Sequence, residues 1–217
     1  DGNPLNITMS YPAKNTLPFI LVSRLFKMHN NALSRNKNSY VYYYKDVIEI
    51  LRHPLIEPYV QAEGIINQII SRNITFISQQ QLESLYKNDS SVFKRLFTPW
   101  MDSVLDVLQN LADLLVELRD LLGRTSQQEK LTLSMLYSCY QLMNQLIGYY
   151  SKENRSQDFE TLKKLYRELS DLVGISFEGE PLEGLQIMGV LESRLLDFDH
   201  VIITSMNEGI FPSGKGG

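Results

Sequence analysis

Apolar residues recur at spacings of three and four through most of the chain, the pattern of helices that bury one face. The clearest run is Met101, Val104, Leu108, Leu111, Leu115, Leu118 and Leu122. Thr98-Pro99 ahead of it predicts a capping threonine with a proline at the first helical position, and Gly123 behind it predicts the C-cap. Ser126-Gln-Gln-Glu129 reads as a capping box that opens a second stripe through Leu133, Leu136, Tyr140, Met143, Ile147 and Tyr150. So short a connection predicts an antiparallel helix pair. A third helix is expected over 158–173, with Leu162, Leu165, Tyr166, Leu169 and Val173 facing in.

The N-terminal third is more mixed. Residues 4–12 have a β-branched Ile-Thr centre and close on Pro12, which predicts a short strand. A helix is expected over 16–32, opened by a Thr16 cap with Pro18 in its first turn, and a polar loop follows. Further helices are expected over 46–52, stopped by Pro54, and over 62–70 and 79–85. Residues 73–78 read as either a short strand or a turn. After Gly174 the pattern changes to two β-rich runs, GLQIMGV (184–190) and HVIITSM (200–206). The fold class expected is therefore α/β and mostly α-helical. A small parallel sheet is built from both chain ends, 1–40 and 176–217, and a helical insertion, 41–175, interrupts it.

Composition narrows the function classes only a little. The 217 residues carry a net charge of −4, which argues against a basic footprint over the whole surface but not against a local one. Lys14, Arg24, Lys27, Arg35, Lys37 and Lys45 give the N-terminal third such an excess. The single cysteine, Cys139, lies on an apolar stripe and reads as a small core residue. The start has no signal-peptide pattern, and the Leu-rich stretch over 101–122 contains too many charges to span a bilayer. No membrane partner is expected, and a cytoplasmic location follows. The chain does not start with Met and ends in GKGG, so it reads as a piece of something longer.

Candidate chemistry is sparse. GIFPSGKG (209–216) nearly fits a phosphate loop, but Gly216 stands where a Ser or Thr would hold Mg²⁺, and Pro212 lies inside the loop. His29, His53 and His200 lie far apart with no ligand-spaced partners, so no metal site is expected. No nucleophile has an evident base. Tyr40, Tyr42, Tyr43 and Tyr44, beside Lys37 and Lys45, read either as a stacking platform for single-stranded bases or as a plug in the seam between two subdomains. Asn207, Glu208 and Gly209, at the exit of the last predicted strand, read either as a binding edge or as a capped turn.

The ending LQIMGVLESRLLDFDHVIITSMNEGIFP resembles the motif V region of superfamily 1 helicases, in the version found in AddB/RexB-type helicase–nucleases and related bacterial PD-(D/E)XK nuclease-family proteins. LNITMSYPAKNTLPF is similar to the motif IV stretch of the same proteins, and YYYKDVIEILRHPLI to the helix after it. In that family a helical insertion interrupts the second RecA-like domain between motifs IV and V. The resemblance implies a role in DNA repair and recombination, by unwinding or resecting DNA together with a distant nuclease domain. By position, Arg194 stands for the lysine of motif V and Asp197 for its acid, near the nucleotide sugar. Glu208 and Gly209 match the strand exit, and Thr8, Ser10 and Tyr11 match motif IV.

Departures from the family pattern limit what this chain can do. Met188, Gly189 and Val190 replace the Thr-x-His that opens motif V, and Pro12 replaces the arginine that would reach the γ-phosphate. The expectation is a fragment that neither hydrolyses ATP nor cuts DNA by itself. It would need no cofactor of its own, with ATP and Mg²⁺ serving the complete protein or a partner subunit. Its role would be DNA contact and scaffolding, on single strands or duplex ends. The candidate contacts are Thr8, Ser10, Tyr11, Lys14, Arg24, Lys37, Tyr42, Tyr43 and Lys45. The alternative is a helical module that docks a partner subunit through its Leu-rich stripes, with no nucleic-acid role.

Overall fold

A computed structural model describes residues 5–8, 10–35, 40–100, 103–123, 126–152, 158–176, 185–189 and 199–204. The chain is mostly helical and divides into two compact units, 10–176 and the two ends, 1–9 with 177–217.

The larger unit begins and ends in one sheet. β2 (Ser10–Pro12) pairs antiparallel with β5 (Gly174–Ser176), Tyr11 opposite Ile175, and the Ala13 amide donates to the Val173 carbonyl at 2.9 Å. A 3₁₀ turn over Ala13–Asn15 leads into α1 (Leu17–Arg35). Thr16 stands directly before α1, as expected, and its carbonyl accepts the first helical bond from the Ile20 amide at 2.9 Å. It is buried, and its hydroxyl donates backwards to the Ala13 carbonyl at 2.7 Å, tying the helix to the turn before it.

Helix α1 is the hub of the unit. Phe19, Leu21, Val22, Leu25, Phe26, Met28 and Ala32 are buried, and α1 contacts β3 (Val41–Tyr43), α2 (Tyr44–Leu51), α8 (Gln127–Tyr150) and α9 (Phe159–Leu172). This moves the expected N-terminal boundary from residue 40 to residue 10, because α1 buries its apolar face among the helices. Tyr166 fixes α9 by donating its hydroxyl to the Phe19 carbonyl at 3.0 Å.

The remaining helices are α3 (Glu57–Val60), α4 (Glu63–Ser71), α5 (Gln79–Leu85), α6 (Ser91–Phe97) and α7 (Val104–Leu121). Of these, α3 and α6 are absent from the sequence reading. Capping boxes form at Ser78/Gln81 and at Ser126/Glu129, and the Asp158 carboxylate accepts from the Glu160 and Thr161 amides. Thr98-Pro99, however, ends a helix instead of starting one. The Thr98 hydroxyl donates to the Lys94 carbonyl at the close of α6, and Ser103 caps α7. Proline drives the residue before it out of helical geometry, so the same dipeptide suits a stop as well as a start.

Helices α7 and α8 form the expected hairpin and make the most extensive interhelical contact of the unit. Helix α7 ends at Leu121, two residues before Gly123, whose missing Cβ leaves room for the Glu129 carboxylate. On α8 the buried face is Leu136, Cys139, Leu142, Met143, Leu146 and Tyr150. It is rotated from the expected stripe, and Leu133, Tyr140 and Ile147 lie at its margin. The core takes up most of the Leu stripe of α7 and part of the stripe expected on α8.

In the end unit, β1 (Leu5–Thr8) pairs in parallel with β6 (Leu185–Met188), Leu5 opposite Leu185 and Thr8 opposite Met188. The single strand expected over 4–12 is thus two strands in two units. The strand expected over 200–206 is not seen in its described part: residues 201–204 lie outside any sheet, and Val201, Ile202 and Ile203 are exposed. A β-rich run becomes a strand only where a neighbouring edge accepts its amides, and none of the described residues supplies one.

Candidate nucleic-acid interface

Strand β3 and its partner β4 (Phe76–Ser78) form a two-stranded antiparallel ribbon in which Val41 faces Ser78, Tyr42 faces Ile77 and Tyr43 faces Phe76. Strand side chains alternate between faces, so neighbouring tyrosines part company. Tyr42 and Ile77 are fully buried. Tyr43 and Phe76 point outward with ring centroids 5.8 Å apart, and Phe76 is 48% exposed.

The inner face belongs to a closed aromatic cluster. The Tyr42 hydroxyl donates to the Phe97 carbonyl at 2.6 Å, and its ring meets those of His29, Tyr40 and Phe97 edge to face. His29 stacks on Trp100 at 4.3 Å, with the planes 2° apart. The Leu96 carbonyl, 3.0 Å from His29 Nε2, can only accept, so Nε2 carries the proton. Nδ1 then accepts from the Tyr40 hydroxyl at 2.6 Å, whose oxygen in turn accepts from the Trp100 amide at 3.2 Å. Burial holds the His29 pKa down to about 3 and raises those of Tyr40 and Tyr42. The polar groups of this cluster satisfy one another, and no ring face is left for a base. Tyr42 is therefore a core residue and not a stacking contact.

The outer face is different. Tyr43 and Phe76 stand side by side, Tyr44 meets Tyr43 edge to face at 5.0 Å, and Lys45 Nζ lies 6.0 Å from the centre of the Tyr44 ring. The backbone sets this arrangement. The Tyr44 amide donates to the Thr75 carbonyl at 3.1 Å, which holds the start of α2 against the ribbon. Lys45 is exposed and makes no ion pair among the described residues. The sequence reading missed Phe76, although Phe76-Ile77 repeats the out–in alternation of Tyr43-Tyr42.

Three other cations of the N-terminal third are already engaged. Lys14 pairs with Asp171 at 2.9 Å and Arg24 with Glu49 at 3.0 Å. Lys27 bridges Asp46 at 3.2 Å and Glu49 at 3.1 Å, which raises its pKa, the bond to Glu49 contributing most. The expected basic face of α1 is thus a charge-matched seam against α2. Thr8 and Ser10 lie in separate sheets of separate units, and Tyr11 is exposed on β2 opposite Ile175. Lys37, Arg194, Asp197, Asn207, Glu208 and Gly209 fall outside the described residues.

The described residues contain no group of three His, Cys, Asp or Glu able to hold a metal ion. Cys139 is a buried free thiol whose pKa burial pushes up, so it is a core residue. A groove of about 240 Å³ has Leu51, Ala62 and Ile66 as its floor and Arg52, Glu57, Gln61 and Glu63 as its rim. Among the described residues no helix is long and apolar enough to cross a membrane. Comparison with protein-family models, with curated proteins and with solved structures gives no significant match for this chain.

Proposed function

We propose that this chain contributes DNA contact and scaffolding to a helicase–nuclease-like DNA repair and recombination protein. In this reading the end unit is the remnant of a RecA-like sheet that the helical unit interrupts. One observation carries the DNA role: two aromatic rings, Tyr43 and Phe76, on the outer ribbon face, with the half-buried Tyr44 and exposed Lys45 beside them at the start of α2. Unstacked bases bind such rings face to face with little regard for sequence, and a neighbouring cation serves the phosphates. The parallel pairing of β1 with β6, from the two ends of the chain, supports the scaffold role. Resemblance to motifs IV and V supplies the family, with ATP and Mg²⁺ working elsewhere in the complete protein or its partner subunit. Arg194 and Asp197 would lie beside that nucleotide.

Fluorescence anisotropy with single-stranded, forked and duplex oligonucleotides tests this at low salt. Single-stranded and forked DNA are expected to bind more tightly than duplex, with affinity falling as salt rises. Absence of binding to all three at low salt removes the DNA role.

A further inference from the structure

The ribbon has one charged end. Because β3 and β4 run antiparallel with Tyr43 opposite Phe76, the exit of β3 and the entry of β4 lie together. Tyr44 and Lys45 leave from one strand there, and residues 72–75 arrive at the other. The bond from the Tyr44 amide to the Thr75 carbonyl joins the two.

The way α4 stops brings Arg72 to this end. Its amide closes the helix on the Gln68 carbonyl at 3.1 Å, and the Ile74 amide returns to the Ile69 carbonyl at 3.0 Å. Asn73 between them takes the left-handed conformation, φ 51°, which asparagine tolerates better than most residues. Four steps along the chain then separate Arg72 from Phe76, so their Cα atoms lie no more than about 14 Å apart. A long arginine side chain spans much of that distance.

Charge gives the position its meaning. Arg72 is the only charged residue between Glu63 and Glu83. It is exposed, and among the described residues it forms no ion pair. Lys45 is in the same condition, because the carboxylate next to it, Asp46, is buried and bound by Lys27 and Asn31. In a chain of net charge −4, whose α1 cations are matched by carboxylates, two unmatched cations flank the same pair of rings.

We propose that Arg72 is a second phosphate contact of the ribbon, acting with Lys45 on a single strand whose bases lie on Tyr43 and Phe76. The guanidinium is a planar fork that grips a phosphate through two N–H bonds. A single strand fits better than a duplex, since its unstacked bases reach the rings while its phosphates reach the cations. This contact rests on the DNA reading and adds to it the residue that sets the path of the backbone.

Fluorescence anisotropy of a labelled oligothymidylate, titrated with the full chain at several salt concentrations, tests the contact. Arg72→Gln is expected to weaken binding roughly 2–5-fold at low salt and to lower the salt slope by about 0.7, the share of one phosphate on a single strand. Combining it with Lys45→Gln should lower the slope by about twice that. Arg167→Gln, at an exposed position of α9, makes the same change in net charge and should leave the slope as it is. A cation also suits the C-terminus of α4 through the helix dipole. If that were its whole role, Arg72→Gln would lower the melting temperature and leave affinity and slope at their wild-type values, which overturns the contact while Lys45 and the rings stand. No binding by the wild type removes the DNA reading and this contact with it.

Discussion

On β3 two adjacent tyrosines meet opposite environments. Tyr42 turns inward, gives its hydroxyl to the Phe97 carbonyl and is enclosed by His29, Tyr40 and Phe97, whereas Tyr43 turns outward beside Phe76. The sequence offers the same residue twice, and the pleat of the strand assigns one to stability and the other to a surface. An aromatic run is thus two features at once, which separate only when the two faces are perturbed in turn.

The largest effect belongs to the inner face. Trp100 is 3% exposed, stacks on His29 and meets Phe26 edge to face at 5.1 Å. Trp100→Ala removes both contacts and leaves a cavity between α1 and the end of α6, so a loss of about 3–5 kcal/mol in urea unfolding is expected. A loss below about 1 kcal/mol would show that the cluster is not a rigid part of the core.

Acid attacks the same face. Burial lowers the His29 pKa to about 3, and burial, with Arg24 nearby, lowers that of His53 to about 4, against 6.5 in the unfolded chain. Below pH 6.5 the unfolded state binds the protons and the folded state does not, so stability present at neutral pH is lost as the pH falls. For His29 alone the loss between pH 7 and pH 5 is about 2 kcal/mol, and His53 adds to it in the same direction. Among the described residues the Nε2 of His53 has no hydrogen-bond partner, a further cost in the fold. His29→Gln should flatten the pH dependence of urea unfolding at the same time as it lowers stability at neutral pH.

What the sequence disclosed follows from what each signal depends on. The Ser126 box, the limits of α5 and the α7–α8 hairpin were readable because caps and long periods are local. Of the small sheet expected from both chain ends, one strand pair, β1 with β6, is present among the described residues. The sides of Tyr42 and Tyr43 were not readable, because four aromatics in five residues show no alternation and only the partner strand fixes the register. Nor could the sequence show that Lys14, Arg24 and Lys27 spend their charge on Asp171, Asp46 and Glu49, since those pairings require α1 to lie against α2 and α9.

A milder change divides shape from bonding on the inner face. Tyr42→Phe keeps the ring and its edge contacts but leaves the buried Phe97 carbonyl without its donor. A loss of about 1–2 kcal/mol is expected in urea unfolding, below that of Trp100→Ala. A neutral result would mean that water reaches the carbonyl, and that the inner face is less closed than its geometry indicates.

The smallest effect on folding, and the largest on binding, belongs to the outer face. Tyr43→Ala with Phe76→Ala removes a half-exposed pair, so unfolding should shift by no more than about 1 kcal/mol. If bases stack there, affinity for a single-stranded oligonucleotide falls by roughly 10–100-fold, because each stacked base is worth about 1–3 kcal/mol. The salt dependence should keep its slope, since no cation is lost. Lys45→Gln is the mirror experiment: it leaves the rings in place and should reduce that slope by about one contact while weakening every sequence equally. Unchanged affinity in both variants, with wild-type DNA binding intact, would move the DNA contact off the ribbon and reduce Tyr43 and Phe76 to a surface pair.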